Sequence, residues 1–171
     1  DNFEKDIKAS IKLLKDDSKD IQKKAKALAT KLNGKTPIIY SAPDFEGVAV
    51  RFRQQINENG KMLCWHHVIP EMNHNELVGW KDKDNSRAVV ILRNKEDYQR
   101  TQLRMEINKK VIKKYTSNIT ELYSKGKSYW EKVFYFIHLT DWVSVDLADM
   151  RKQDATEVKV IDFLKGELAK V

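Results

Sequence analysis

The sequence predicts an α/β fold in which a mainly parallel sheet of four or five strands lies between two layers of helices. Short apolar stretches alternate along the 171 residues with segments of helical periodicity, as in the β-α-β units of parallel sheets. The apolar stretches are nearly continuous, whereas strands with one solvated face alternate apolar and polar residues. These observations together indicate a three-layer α-β-α sandwich.

Four apolar stretches have the length and composition of strands. Aliphatic and aromatic residues fill at least half of the positions in each, and each stretch is bounded by polar or turn-forming residues. The helical segments between them supply the crossovers that parallel strands require. The predicted strands are residues 36–41 (TPIIYS), 62–69 (MLCWHHVI), 87–92 (RAVVIL) and 119–123 (ITELY).

The chain begins with a helical pattern that precedes the first strand. Apolar residues recur at helical spacing over residues 3–32, and Gly34 follows as a helix stop. Residues 16–18 (DDS) interrupt the pattern, so we expect a long helix or a helical pair. We assign residues 1–35 to an N-terminal helical segment that leads from an upstream domain, and residues 36–171 to the main domain. Because there is no initiator methionine, we also expect a fragment of a longer protein.

Four further helices are predicted from apolar residues at helical spacing. Their ranges are 45–56, 98–115, 129–150 and 154–168. The third is apolar on more than one face, which fits either core packing or burial at a subunit or domain interface. The last begins with Asp154 and Glu157 in the positions of a capping box.

The chain carries a net charge of +7. Much of the excess lies in residues 5–35 and 100–114, where it fits either solvated helix faces or an anionic partner. Because no zinc-finger spacing, aromatic RNA-binding signature or DNA-binding helix pair is present, we expect no nucleic-acid partner. No run of 18 apolar residues occurs, so we expect no membrane partner.

Cysteine and histidine usage gives no sign of a metal or a disulfide. Cys64 is the single cysteine and is expected to be a buried structural thiol, which fits a cytoplasmic location. His66 and His67 are adjacent in a predicted strand, so they point to opposite faces and cannot bind one metal together. There is no glycine-rich phosphate loop, and we expect neither a metal nor a cofactor.

A first polar cluster, residues 57–61 (NENGK), ends the helix that follows the first strand. Glu58 falls in the last turn of this helix, where its carboxylate faces the negative end of the helix dipole. A carboxylate in such a setting suits a general base, which works best when it exchanges its proton near ambient pH. A solvated glutamate at a fraying helix end is the alternative.

A second polar cluster, residues 70–80 (PEMNHNELVGW), follows the second strand. It should therefore lie at the carboxyl edge of the sheet, where α/β folds bind ligands. Asn73 or Asn75 can cap a short helix there, with His74 near the helix N-terminus. A neutral imidazole in this position can pass a proton near pH 7. The alternative is a structural histidine that braces the loop, with the two neighbouring glutamates as plain caps.

Three motifs carry a resemblance to a known family. Residues 51–61 match R-x-R/K-x-Q-x-N-E-N-x-K, and residues 70–80 match P-E-x-N-H-N-E-x-x-G-W. Residues 145–168 resemble a third pattern, L-A…D-x-x-x-V-x-x-I-x-x-L-K. Together the motifs resemble the C-terminal sugar isomerase (SIS) domain of bifunctional phosphoglucose/phosphomannose isomerases, over about residues 36–168. The first two motifs are highly specific and the third is moderately so.

The resemblance implies roles for residues of all three motifs. Glu58 stands at the position of the family's proton-transferring glutamate, and His74 at that of its ring-opening histidine. Lys165 matches the lysine that assists ring opening, and Lys159 is the second candidate, because the segment between the histidine and the tail varies in length. The implied substrate-binding or site-supporting residues are Arg51, Gln55, Asn59, Glu71, Asn73 and Asn75.

The family also implies a reaction and an assembly. The reaction is the metal-independent interconversion of glucose 6-phosphate, with mannose 6-phosphate as a second candidate, and fructose 6-phosphate, a step of glycolysis and gluconeogenesis. Family members have two SIS domains and build their sites at a dimer interface, with the histidine reaching into the partner's site. We therefore expect a missing N-terminal SIS domain, a homodimer, and near inactivity of this chain alone. A non-catalytic sugar-phosphate-binding SIS module and a basic nucleic-acid-binding protein are the alternatives.

Overall fold

Four strands form one parallel sheet in a computed structural model that describes residues 3–171. The strands are β1 (Thr36–Ser41), β2 (Trp65–Val68), β3 (Arg87–Arg93) and β4 (Ile119–Tyr123). Their order in the sheet is β2-β1-β3-β4, and each neighbouring pair is parallel. The predicted α/β class with a parallel sheet is confirmed.

Helices cover both faces of this sheet. They are α1 (Phe3–Asp16), α2 (Ser18–Leu32), α3 (Glu46–Glu58), α4 (Gln99–Ile112), α5 (Tyr129–Met150) and α6 (Lys159–Leu168). The predicted interruption separates α1 from α2. Short 3-10 helices span Pro43–Phe45, Glu71–His74 and Glu76–Gly79. Over residues 3–171, none of the helices combines the length and the apolar character that a membrane crossing requires.

The two faces of the sheet carry separate apolar cores, because side chains alternate between the faces along each strand. Ile39 and Val90 pack with α2, α3 and α5 on one face. Ile38 and Tyr40 pack on the other face with α4 and with residues 69–80. The sheet therefore separates α3 from the polar segment that follows β2.

α5 is apolar on several sides because it lies among three other helices. It packs against α1, α2 and α3, and its Phe136, Leu139 and Val143 side chains are fully buried. Trp130, near its start, remains 36% exposed. Packing within the chain thus accounts for most of the apolar surface of this helix.

The two N-terminal helices pack on the domain as a pair. α2 buries Ile21, Ala25 and Leu28 in the same core as α3 and α5, and α1 lies against α5. The division of the chain at residue 35 stays a prediction. The first two residues of the predicted segment, Asp1 and Asn2, lie outside the described residues.

β2 is shorter than the strand predicted over residues 62–69. Thr36 donates its N–H toward the β3 side of β1, so the nitrogen of the next residue, Pro37, faces β2. Proline has no N–H to donate. The ladder between β1 and β2 therefore begins only where Ile38 pairs with Trp65.

α6 begins at Lys159, and the prediction of a helix from residue 154 with a capping box is wrong. The Asp154 carboxylate instead accepts bonds from the N–H and the hydroxyl of Thr156, at 2.8 and 2.7 Å, which closes a local turn. Glu157 accepts a bond from the N–H of Lys159. The residue before the helix, Val158, offers no side-chain cap.

Candidate functional site

Glu58 is the last residue of α3, as predicted, and it is exposed. It borders a cavity of about 230 Å³, called here the Glu58 groove, whose other side is the first turn of α6. The residues that line this groove are Asn57, Glu58, Lys61, Glu157, Val158, Val160 and Ile161. Glu58 therefore lies beside a helix that comes from the far end of the chain.

The turn that follows α3 holds one side of the groove to the other. Asn57 Nδ2 donates to the carbonyl of Met62 at 2.7 Å. Lys61 Nζ donates to the carbonyls of Glu58 at 2.6 Å and of Glu157 at 2.5 Å. The last of these bonds runs from the end of α3 to the α6 connector, which comprises residues 151–158.

Three predicted site residues share the face of α3 that contacts α5. They are Arg51, Gln55 and Asn59, spaced four residues apart. Arg51 donates two hydrogen bonds to the Asp141 carboxylate, at 2.8 and 3.1 Å, and these bonds raise the pKa of the guanidinium. Asn59 Nδ2 donates to Gln55 Oε1 at 3.0 Å and to Ser144 Oγ at 2.8 Å. Arg51 and Asn59 thus tie this face to α5, and Gln55 holds the Asn59 amide in place. Contact of the three with a substrate stays a prediction.

His74 is exposed at the end of the 3-10 helix Glu71–His74, in what is called here the His74 segment, residues 70–80. The two residues before it anchor this helix. The Met72 side chain is fully buried, and Asn73 Nδ2 donates to Asn108 Oδ1 on α4 at 2.5 Å. An exposed imidazole thus stands on a segment that its neighbours fix in place.

Asn75 caps the second 3-10 helix, Glu76–Gly79. Its Oδ1 accepts the N–H of Glu76 at 2.5 Å, and its Nδ2 donates to Glu71 Oε1 at 3.1 Å. The predicted asparagine cap is thus confirmed. The cap follows His74, however, so the imidazole stands at the end of one 3-10 helix instead of in the first turn of a longer helix.

Glu76 joins the His74 segment to the sheet. Its Oε1 accepts bonds from the Tyr40 hydroxyl at 2.5 Å and from the Trp65 indole N–H at 3.2 Å, and Trp80 donates to the Tyr40 oxygen at 3.1 Å. Burial, and after it the Glu76 carboxylate, raises the pKa of Tyr40. The interpretation of Glu76 as a plain cap missed this role. The signal that could have found it is a tyrosine in a buried strand, whose hydroxyl needs a partner.

One chain does not bring Glu58 and His74 together. Ile56 and Met62, which flank Glu58 in the sequence, are buried in the core on the α3 face of the sheet. Met72, two residues before His74, is buried in the core on the α4 face. The sheet therefore lies between the carboxylate and the imidazole.

The two candidate lysines lie on α6, which is exposed along its whole length. Ile161 lines the Glu58 groove, and Lys165 follows on the same helix face four residues later. Lys159 is the first residue of the helix and precedes the α6 residues that line the groove. Both lysines therefore remain candidates for a cation beside Glu58.

Other candidate chemistry is limited. Cys64 is buried as predicted, and burial raises the pKa of its thiol to about 12, which leaves little thiolate at neutral pH. Within residues 3–171, no group of three or more His, Cys, Asp and Glu side chains is arranged to hold a metal ion.

Comparison with known proteins identifies the family. A family model described as the bacterial phospho-glucose isomerase C-terminal SIS domain matches residues 21–168. A bifunctional phosphoglucose/phosphomannose isomerase of Aquifex aeolicus is 35% identical over 159 residues, which are 92% of this chain and 50% of that protein. One of Caldicellulosiruptor bescii is 40% identical over 151 residues, 86% of this chain and 44% of that protein. The chain thus spans about half the length of these relatives.

Solved structures share the fold. A hypothetical protein of Thermus thermophilus superposes with a TM-score of 0.73 at 12% identity, over 86% of this chain and 44% of that one. A glucose-6-phosphate isomerase like protein of the same organism gives a TM-score of 0.62 at 20% identity, over 77% of this chain and 42% of that one. At such identities the likeness concerns the fold alone. The family model, which spans both polar motifs, shows that the chain belongs to the family of bacterial phosphoglucose isomerase C-terminal SIS domains.

Proposed function

We propose that this chain is the C-terminal catalytic domain of an enzyme that interconverts glucose 6-phosphate and fructose 6-phosphate, with mannose 6-phosphate as a second candidate substrate. One observation carries the proposal. Glu58 borders a groove whose other side is the first turn of the helix that bears Lys159 and Lys165. The names of the relatives, bifunctional phosphoglucose/phosphomannose isomerases, support the choice of substrates.

The chemistry of aldose–ketose isomerisation explains why these residue types are needed. The Glu58 carboxylate is the base that carries a proton between C2 and C1 through an enediol. The His74 imidazole exchanges a proton with the ring oxygen and the anomeric hydroxyl as the sugar ring opens, and a lysine ammonium stabilises the negative charge that develops. Each general acid–base step contributes about 10² to 10⁴-fold to the rate.

The site needs partners beyond this chain. Since the chain spans about half the length of its relatives, a preceding SIS domain is proposed to supply the phosphate contacts. The sheet separates Glu58 from His74, which supports a homodimer in which the imidazole of one subunit enters the Glu58 groove of the other. The buried thiol of Cys64 is compatible with the cytoplasm as the site of action.

The second candidate is a non-catalytic module that binds sugar phosphates. The sheet separates Glu58 from His74 within one chain, and this candidate gains if the two residues stay apart across a dimer as well. Such a module needs no base, imidazole and ammonium in one place. Both the module and the enzyme would bind a sugar phosphate, but only the enzyme would convert the bound sugar, so conversion distinguishes them.

The test compares Glu58→Gln with the unaltered sequence in a protein that carries both SIS domains. Glutamine cannot accept the C2 proton, so exchange of deuterium from C2 into water is expected to stop while sugar phosphate binding persists. Glu4→Gln removes an exposed carboxylate on α1 and is the matched control with full exchange. Exchange at the normal rate in Glu58→Gln would refute the assigned base. Binding without any exchange in the unaltered protein would instead support the non-catalytic module.

A further inference from the structure

Lys61 bridges two parts of the chain that are distant in the sequence. Its ammonium donates to the carbonyl of Glu58, at the end of α3, and to the carbonyl of Glu157, in the α6 connector. We propose that Lys61 is a positioning residue, which holds the start of α6, and with it the active-site lysine, beside Glu58. The inference rests on the proposed isomerase function and assigns a role to a residue that does not itself need to touch the sugar.

The backbone around Lys61 supports a role for its side chain. Lys61 has a φ of +52°, in the left-handed region that glycine adopts at little cost and that other residues rarely adopt. Glycine is the usual residue where a chain leaves a helix in this conformation. The neighbouring Gly60 is needed for space, because an added Cβ would come within 2.8 Å of the Ile56 carbonyl. A lysine therefore occupies the strained position although a glycine there would be easier to fold.

The position of α6 depends on such a bond. No residue of α6 is buried, so apolar packing within the described chain does little to fix it. The first N–H of α6, from Lys159, is accepted by the nearby Glu157 carboxylate, and Val158 adds no side-chain cap, so neither residue ties the helix to α3. The bond from Lys61 reaches Glu157, two residues before the helix begins. A hydrogen bond from a charged donor is about twice as strong as a neutral one, so this bond is well suited to fix the direction in which α6 leaves the connector.

The first experiment measures the position of α6 in the 171-residue chain itself. Spin labels are attached at exposed Gln54 on α3 and exposed Glu167 on α6, after Cys64→Ser removes the native thiol. A narrow distribution of the distance between the two labels is expected when Lys61 is unaltered. The same is expected for the control Lys31→Met, which alters an exposed lysine on α2. Lys61→Met and Lys61→Gly are expected to broaden the distribution, and Lys61→Arg to restore it.

The glycine variant distinguishes the loss of the Lys61 hydrogen bonds from a change in backbone strain. Glycine relieves the strain at φ +52°, so strain at residue 61 cannot explain a broadened distribution in Lys61→Gly. Glycine also adds backbone freedom, and the same broadening in Lys61→Met excludes that cause. Unchanged distances in both Lys61→Met and Lys61→Gly would overturn the proposal, whatever the activity of the enzyme.

The second experiment measures kinetics in a protein that carries both SIS domains. Misplacing a catalytic group by about 1 Å costs up to roughly 100-fold, so Lys61→Gly is expected to lower kcat by roughly 10- to 100-fold with KM little changed. Lys61→Arg should recover most of the loss. Altered distances together with an active Glu58→Gln variant would defeat the proposed function and leave the positioning role intact. Altered distances with a normal kcat would overturn the catalytic part of the inference.

Discussion

The segments around Glu58 and His74 both expose a titratable side chain beside hydrogen-bonded neighbours, but they are anchored in different directions. Around Glu58, the bonds of Lys61 and Asn59 run along the surface of the α3 layer, to the α6 connector and to α5. Around His74, the bond of Asn73 runs to α4, and other bonds of the segment run to the sheet. The first arrangement frames a groove, whereas the second presents an imidazole on a fixed outer surface.

This difference indicates complementary roles for the two segments. A groove can receive a sugar, and an exposed imidazole on a rigid support can complete a groove on another molecule. A twofold dimer uses the same pair of surfaces twice, so that each subunit provides one Glu58 groove and one His74. The three predictions below test this contrast, from the largest expected effect to the smallest.

The largest effect is expected when two variants are mixed, one that lacks the Glu58 carboxylate and one that lacks the His74 imidazole. In a protein with both SIS domains, Glu58→Gln and His74→Ala should each lower kcat by at least about 100-fold. Refolded together in equal amounts, they should regain about a quarter of the normal activity, because half of the dimers are hybrids and each hybrid keeps one intact site. The measurement is the isomerase activity of the mixture against that of each variant alone.

The matched control for this experiment places both substitutions in one chain. Mixed with the unaltered protein, such a chain forms hybrids in which each site has lost one group, so about a quarter of the normal activity should remain. If His74 served the groove of its own chain, the first mixture would stay inactive and the control mixture would keep about half.

The bounds of β1 and β4 could be predicted from the sequence alone. Residues 36–41 and 119–123 form strands with the predicted bounds, because continuous apolar stretches suit a sheet covered on both sides. β2 begins three residues late, because the missing donor belongs to Pro37 on the neighbouring strand. α6 begins five residues late, because Asp154 closes a turn of its own. The first error comes from a neighbouring strand that is distant in the sequence, and the second from a local turn that takes the place of the expected helix cap.

For the candidate site, the sequence could predict which residues share a helix face but not which other helices they contact. The spacing of Arg51, Gln55 and Asn59 already places them on one face of a helix, and the motif marks Glu58 at its end. That this face meets α5, and that α6 borders Glu58, depends on contacts between residues that are 85, 90 and 96 positions apart. Helical periodicity reports only which residues share a face, so it could not identify these partners.

An intermediate effect is expected from removing the hydrogen bond between Glu76 and Tyr40, which is the inward anchor of the His74 segment. Glu76→Ala leaves the buried Tyr40 hydroxyl without its acceptor, which should lower the free energy of unfolding by about 1–3 kcal/mol. Glu76→Gln keeps an acceptor oxygen and should lose less. Urea unfolding followed by tryptophan fluorescence measures the change. Glu71→Ala, on the same segment but exposed, is the control, with an expected change of about 0.5 kcal/mol or less. Equal losses in Glu76→Ala and Glu71→Ala would contradict the inward anchor.

The smallest effect is expected on the α3 side, where Arg51 pairs with Asp141. Their side chains are 45% and 30% exposed, so water screens the attraction, and a double-mutant cycle of Arg51→Met and Asp141→Asn should give a coupling of about 0.2–1 kcal/mol. Repeating the cycle in about 1 M NaCl should reduce this coupling further, because salt screens exposed charges. A coupling larger than the loss caused by Glu76→Ala would reverse the comparison. α3 would then be the more firmly anchored of the two elements, and the His74 segment the one free to adjust when two subunits meet.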